Sequence, residues 1–287
     1  MNVLVVGVAT LDIINLVDAY PAEDEKIRVS GQWRQIGGNA ANTARVLQQL
    51  GHRSYWAGVM AVDDEATLIR RSLQNAKVNC SHAVVEASGV SPVSYITLNR
   101  MNGSRTILHH RDLREFTAED FAGIDLKPFS WVHFEGRQVD ELQQMLRQLP
   151  VCCSLEVEKP REGIETLFRL PQLLLFSKDY AQGCGYDNAE QFLYHVKPQC
   201  REGAVLVCAW GEQGAWAIDG KGGLYHAPAY IPGEVVDTVG AGDVFNAGMI
   251  GALLSGETIG SALHQACRLA GRKCGQQGID NLSANRP

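Results

Sequence analysis

The sequence predicts an α/β fold: a doubly wound, mostly parallel sheet with helices on both faces and a small β-sheet lid. Three observations carry that expectation. The continuous apolar run Val3–Val8 reads as a strand buried on both faces, because a parallel sheet covered by helices has no wet side. Strand-like and helix-like segments alternate at 130–134, 138–149, 151–157, 161–169, 172–176, 187–197 and 203–208, which is the pattern of a sheet wrapped by its own crossovers. Two half-wet β segments, about 26–35 and 93–108, interrupt this pattern and belong outside the core.

The first apolar run ends before Asp12. Ligands gather at the carboxyl ends of strands in such sheets, so Asp12 reads as a ligand contact or as a loop former. In 26–35, Ile27, Val29 and Trp33 alternate with Lys26, Arg28, Ser30, Gln32 and Arg34, giving a strand with one dry face. Gly37-Gly-Asn-Ala-Ala-Asn42 then leads into Ala44, Leu47 and Leu50 at helical spacing, with a stop at Gly51. Asn39 and Asn42 each bring donors and an acceptor, which suits a polyhydroxylated ligand; Asn39 also suits an N-cap.

Val93–Arg100 and Ser104–Leu108 flank Met101-Asn-Gly103, and Asn-Gly is a strong hairpin signal. The lid is therefore assigned to about 12–36 and 92–113, closing over a site on the main sheet. Its dry face, read as Ile27, Val29 and Trp33, calls for a cover, and a second copy of the chain in a homodimer would supply one. Arg105, on the polar side of the hairpin, suits a phosphate. His109, His110 and Arg111 lack a third ligand at metal-site spacing. Glu156 and Glu158 lie two apart on a strand and share a face, fit either for a metal or for solvent. Ala209-Trp-Gly-Glu-Gln-Gly214 follows an apolar strand and offers a shelf for a flat ring.

The most telling stretch is Asp237-Thr-Val-Gly-Ala-Gly-Asp-Val-Phe-Asn-Ala-Gly248. Gly240 and Gly242 allow a tight turn, so the free N–H groups of a helix start can converge on an anion. Asp243 lies among them, placed to take a proton from a hydroxyl or merely to cap the helix. Val244–Leu254 is apolar nearly all round, as a buried helix should be. A further helix, about 258–273, ends in Arg272-Lys-Cys-Gly275 with basic residues and a glycine stop.

No linker divides the 287 residues, which are expected to form one domain. A net charge of −6 opposes non-specific binding to nucleic acid or anionic membrane. The eight cysteines contain no Cys-x-x-Cys pair, so reduced thiols and a cytoplasmic setting are expected. The amino terminus lacks the basic region of a signal peptide, and no run approaches the ~20 apolar residues of a membrane span. Motifs for a P-loop, a dinucleotide dehydrogenase and an α/β-hydrolase are all missing.

Gly37–Asn42 with Gly51 and Gly58, and Asp237–Gly248, resemble the two signatures of the PfkB, or ribokinase-like, family of carbohydrate kinases. Strings across the chain are most similar to its ketohexokinase (fructokinase) subgroup. They include Tyr20-Pro-x-Glu-Asp24, Asn102-Gly-Ser-Arg105, His133-Phe-Glu-Gly-Arg137, Glu156-Val-Glu-Lys-Pro-Arg-Glu162 and Gly271-Arg-Lys-Cys-Gly-x-Gln-Gly278. The resemblance implies ATP- and Mg2+-dependent phosphorylation of a sugar hydroxyl, and for that subgroup fructose to fructose 1-phosphate. It implies Asp243 as base and the amides of Gly240, Ala241 and Gly242 as an anion hole, with Arg105 reaching the transferred phosphoryl. Asp12, Asp24, Gly38, Asn39 and Asn42 would hold the sugar. Ala209, Trp210, Gly211 and Gly214, with Cys274, Gly275 and Gly278, would embrace the adenine. A K+ ion near the anion hole is also implied. The family's Asn-x-x-Glu is replaced by Ser177-Lys-Asp-Tyr180, which leaves the metal contacts open. Alternatives are a family kinase for another sugar, a sugar acid or a nucleoside, and a non-catalytic sensor; the intact Asp243 and its glycines oppose the last.

Overall fold

Val3, Leu4 and Val5 are wholly buried in the first strand, β1 (Asn2–Val6), of a computed structural model that describes residues 1–282. The chain then leaves for a second sheet through β2 (Thr10–Val17) and β3 (Gly31–Gly37). It returns by helix α1 (Asn39–Gln49) to β4 (Arg53–Ala57). After β5 (Val59–Met60), α2 (Asp64–Asn75) and β6 (Val84–Val85) come the hairpin strands β7 (Val90–Asn99) and β8 (Arg105–Asp112). A short α3 (Ala118–Ala122) opens the alternating middle: β9 (Trp131–Glu135), α4 (Val139–Arg147), β10 (Cys153–Val157), β11 (Leu173–Phe176), α5 (Lys178–Gly183), α6 (Ala189–Val196) and β12 (Val205–Ala209). Two antiparallel strands, β13 (Ala215–Ile218) and β14 (Leu224–Ala227), precede the long helices α7 (Ala241–Leu254) and α8 (Ile259–Cys274).

The main sheet has the order β14-β13-β12-β11-β10-β9-β1-β4 and is parallel from β12 to β4. Alternate residues of β1 feed two separate cores: Val3 and Val5 pack with α1, α7 and α8, while Leu4 and Val6 pack on the opposite face with α4 and α6. That two-sided burial is why the strand reads as an unbroken apolar run. The doubly wound α/β class expected from the sequence is the observed one.

The second sheet, ordered β3-β2-β7-β8, is entered directly from the carboxyl end of β1 through β2. Gly103 takes a left-handed turn (φ 69°) in the hairpin, where its N–H donates to the Asn99 carbonyl. Two expectations need correction. The strand expected over 26–35 begins only at Gly31, because the last pair in its register with β2 is Leu16 with Gly31 and residues before it have no neighbouring strand. Trp33 is half-buried within its own chain: it lies opposite Ile14 and packs against the cluster of Ile14, Ile96 and Leu98. The outward row of this sheet is instead Leu108 and Tyr95, both exposed. Residues 164–167 form a 3-10 turn where a longer helix was expected. Among the described residues no helix is long and apolar enough to cross a membrane.

Candidate active site

Gly240 ends the loop before α7 in the left-handed region (φ 81°), a conformation that a side chain would oppose. This bend lets the helix start abruptly and point its first amides out of the main sheet. The Ala241 amide turns back to the Thr238 carbonyl at 3.3 Å. Asp243 sits in the first turn but caps nothing; its Oδ2 accepts a 2.8 Å hydrogen bond from Nδ2 of Asn42. The capping interpretation of Asp243 is thereby excluded by geometry.

Asn42 arrives on α1, the other glycine-led helix. Gly38 is its N-cap (φ 91°), and no side chain caps it. Asn39 uses its amide differently, donating to Oε2 of Glu156 at 3.1 Å and of Glu158 at 3.4 Å. The Oδ1 of Asn42 is buried without a protein partner. A buried acceptor left in that state costs about 1–3 kcal/mol, so it marks a place where a ligand hydroxyl fits.

These two helix starts form one side of a cleft of about 490 Å³, roofed by the second sheet. Asp12, Gly38, Asn39, Asn42, Arg105, Gly240, Ala241, Gly242, Asp243, Ala209 and Gly211 all line it. Asp12 is buried and accepts from the Thr10 hydroxyl at 2.9 Å. It can lie there only because residue 37 is glycine: a Cβ at that position would meet its Oδ2 at 2.0 Å. Arg105 reaches down from β8 to the anion loop and donates to the Thr238 hydroxyl at 3.0 Å.

Other expected contacts stand elsewhere. Asp24 is exposed on the loop between β2 and β3 and does not line the cleft. Trp210 is buried in the core, with the Lys178 ammonium 5.8 Å above its ring. Gly214 is a close-approach position, where a Cβ would strike the Ala227 carbonyl at 2.0 Å. Cys274, Gly275 and Gly278 lie behind the anion loop; the Gly278 amide donates to Asp237 at 3.1 Å. Conversely, the cleft includes Glu135, Arg137, Ser94 and His109, to which the sequence argument gave no site role. A glutamate at the carboxyl end of the wholly buried β9 was the available signal for Glu135, which accepts the Val8 amide at 2.9 Å and a longer contact from Arg137 at 3.4 Å.

Electrostatically the cleft is crowded with carboxylates. Burial pushes Asp243 well above the ordinary carboxylate range; the Asn42 hydrogen bond opposes this, while the charges of Glu158 and Glu135 add to it. Glu156, which accepts from Asn246 at 2.8 Å, is raised by burial and then by the charge of Asp243. Burial also raises Glu135 and Asp12. A raised carboxylate beside a hydroxyl-sized gap is suited to taking a proton near neutral pH.

The sequence profile of the pfkB family carbohydrate kinases matches residues 1–285. The chain belongs to that family. It is 40% identical to mouse ketohexokinase over 98% of both chains. Its fold is that of the ribokinases. The ribokinase of Thermotoga maritima superposes with a TM-score of 0.80 at 18% identity, covering 98% of this chain and 95% of that one. The Arabidopsis thaliana ribokinase complexed with ribose and ATP gives 0.80 at 19% identity, covering 96% and 93%. This protein is therefore an ATP-dependent sugar kinase with the ribokinase-like fold.

Proposed function

We propose that this enzyme transfers the γ-phosphoryl group of ATP to the 1-hydroxyl of fructose, a ketohexose. The choice of sugar rests on the 40% identity to mouse ketohexokinase over 98% of each chain. The observation that carries the chemistry is the buried Asp243–Asn42 pair, with one free acceptor, at the mouth of an anion-ready helix start. The sugar lies against Asp12, Gly38, Asn39 and Asn42, so that its reacting hydroxyl donates to the Asp243 carboxylate. As that oxygen attacks phosphorus, Asp243 takes its proton and the bond from phosphorus to the β-phosphate oxygen breaks, releasing ADP. The amides of Gly240 and Gly242 and the Arg105 guanidinium face the charge on the transferred group, and the Ala241 amide joins them on release from the Thr238 carbonyl. Ala209 and Gly211 form the far edge of the cleft, where the nucleotide base lies.

Among the described residues, no group of three or more His, Cys, Asp or Glu side chains is arranged to hold a metal. Mg2+ keeps most of its waters and is held by one or two carboxylates together with substrate phosphates. Glu156 and Glu158, drawn together by Asn39, would hold it. When bound, Mg2+ would neutralise phosphate charge. The β2-β3-β7-β8 sheet acts as the lid, and its exposed Tyr95 and Leu108 are the face through which we expect two copies to pair as a homodimer. All eight cysteines are free, in keeping with a cytoplasmic enzyme.

The test is a panel of ketoses, aldoses, sugar acids and nucleosides with MgATP, scored by ADP release. Fructose should give the highest kcat/KM, with the product carrying its phosphate at position 1 by phosphorus NMR. A higher kcat/KM for any other class would overturn the substrate assignment. Turnover of none would favour a sensor.

A further inference from the structure

The anion loop begins at Asp237, whose surroundings differ from the crowded cleft in front of it. Its side chain is 1% exposed, and that of Lys273 is 0% exposed. The Lys273 Nζ donates to Asp237 Oδ2 at 2.6 Å and to the Asp237 main-chain oxygen at 2.7 Å. The rest of the carboxylate is also in use: Oδ1 accepts the Val239 amide at 2.8 Å and Oδ2 the Gly278 amide at 3.1 Å. The amides of Val236 and Asp237 both donate to the Cys274 carbonyl, at 2.8 and 3.2 Å. One residue thus ties the first half of the loop to the carboxyl end of α8, where a helix dipole favours a cation.

A main-chain oxygen and a carboxylate oxygen converging on one buried point are the hard-oxygen donors that a desolvated monovalent cation takes. Here the point is filled by an ammonium on a covalent stem. A free K+ beside the loop would compete with Nζ for the same two oxygens, so these residues do not fit it. The charge is needed in that place. Without it, Asp237 would set a buried negative charge directly behind a loop built to receive phosphate. Burial lowers the Lys273 pKa, and the charge and hydrogen bond of Asp237 oppose that shift.

We propose that Lys273 is this enzyme's resident monovalent cation: a positioning residue whose ammonium, held by Asp237, fixes the anion loop so that turnover needs no added K+. The inference rests on the kinase reading of the loop. Its first test uses the wild-type enzyme, assayed in tetramethylammonium buffer with and without K+. Turnover independent of K+ is expected, and strong saturable activation by K+ would overturn the proposal.

The second test is Lys273→Met. Because a displacement of about 1 Å can cost roughly 100-fold in rate, kcat should fall on that order while the sugar KM changes little. K+ or NH4+ should then restore turnover. They should also raise the Tm of the variant, whereas tetramethylammonium should not. This thermal readout requires no catalysis, so it separates a failure of this idea from a failure of the kinase reading. A folded variant that no small cation stabilises or reactivates would overturn the resident-cation role. If Lys273→Met does not fold, the double variant Asp237→Asn with Lys273→Met removes both charges together: normal kcat there would show that the pair positions nothing. Should neither variant fold, the wild-type cation profile alone decides, independence of K+ upholding the proposal and activation sinking it.

Discussion

Two helix starts meet side by side at the cleft, and they are built alike up to the point where their first turns diverge. Both α1 and α7 follow a glycine with positive φ, Gly38 and Gly240, and neither is capped by a side chain. Their first turns then diverge. α1 carries no acid there and presents Asn39 and Asn42; α7 presents Asp243. In the proposed mechanism the same backbone device would serve hydroxyls at one helix start and an anion with a proton acceptor at the other. Asn42 joins them through its 2.8 Å hydrogen bond to the Asp243 carboxylate, beside a longer one from the Thr43 hydroxyl to the Asp243 main-chain oxygen at 3.4 Å, and in the proposed mechanism that carboxylate meets the reacting hydroxyl.

The comparison breaks most visibly at Asp243→Asn, which makes the second helix start resemble the first. Size and hydrogen bonding are kept, and the base is gone. Positioned general bases contribute about 10²–10⁴-fold, so kcat should fall by at least ~100-fold in a folded protein. Nucleotide affinity should hold or improve, because a negative charge beside the transferred phosphate has been removed. Near-normal turnover would refute Asp243 as the base.

Asn42→Ala strikes the first helix start and should cost binding more than rate. Losing a buried hydrogen-bonding partner costs about 1–3 kcal/mol, or roughly one to two orders of magnitude in sugar KM, with little change in the KM for ATP. The geometry adds a second consequence. Asn42 supplies the hydrogen bond that holds the Asp243 carboxyl down, so its loss should also move the acid limb of the kcat/KM profile to higher pH. A variant that only melts earlier, with wild-type kinetics, would reduce Asn42 to a structural residue.

How much of this was legible in the residues follows from the distance over which each feature is encoded. The two-sided burial of β1, the hairpin at Gly103 and the bend at Gly240 are local, and the sequence displays them within a few residues. Trp33 could not be placed that way. Alternation shows that one face of its strand is dry but not that Ile14, Ile96 and Leu98 are what it packs against, since those lie in other segments. Glu135 is a similar case: it reads as one acid after an apolar strand, and its place in the cleft comes from the Val8 amide, 127 positions away in sequence. Asn39 reads equally as cap or ligand contact because both uses look the same in one dimension; with Gly38 at the N-cap and its own amide on Glu156 and Glu158, the cap is excluded. Lys273 looked like an ordinary basic residue ending a helix, and only the fold returns Asp237 to it.

The smallest expected effect sharpens the comparison without breaking either helix start. Glu158 touches neither proposed reacting group, yet its charge is among the causes that hold the Asp243 carboxyl above the ordinary range, after burial itself. Glu158→Gln removes that charge and keeps an acceptor for Asn39. The base must be ionised to work, so activity rises with pH through the Asp243 pKa in the folded enzyme. With one repelling charge removed that pKa falls, and the acid limb of kcat/KM should shift to lower pH, the opposite direction to Asn42→Ala. Because Glu158 is also a proposed Mg2+ holder, the variant should need more Mg2+ for half-maximal rate, while the plateau kcat at saturating Mg2+ should change less than in Asp243→Asn, since no group on the reacting oxygen has been altered. The pH profile measured at saturating Mg2+ decides it. An acid limb that stays where it was would mean that Glu158 does not set the charge state of Asp243, and that the carboxylates on this side of the cleft act independently.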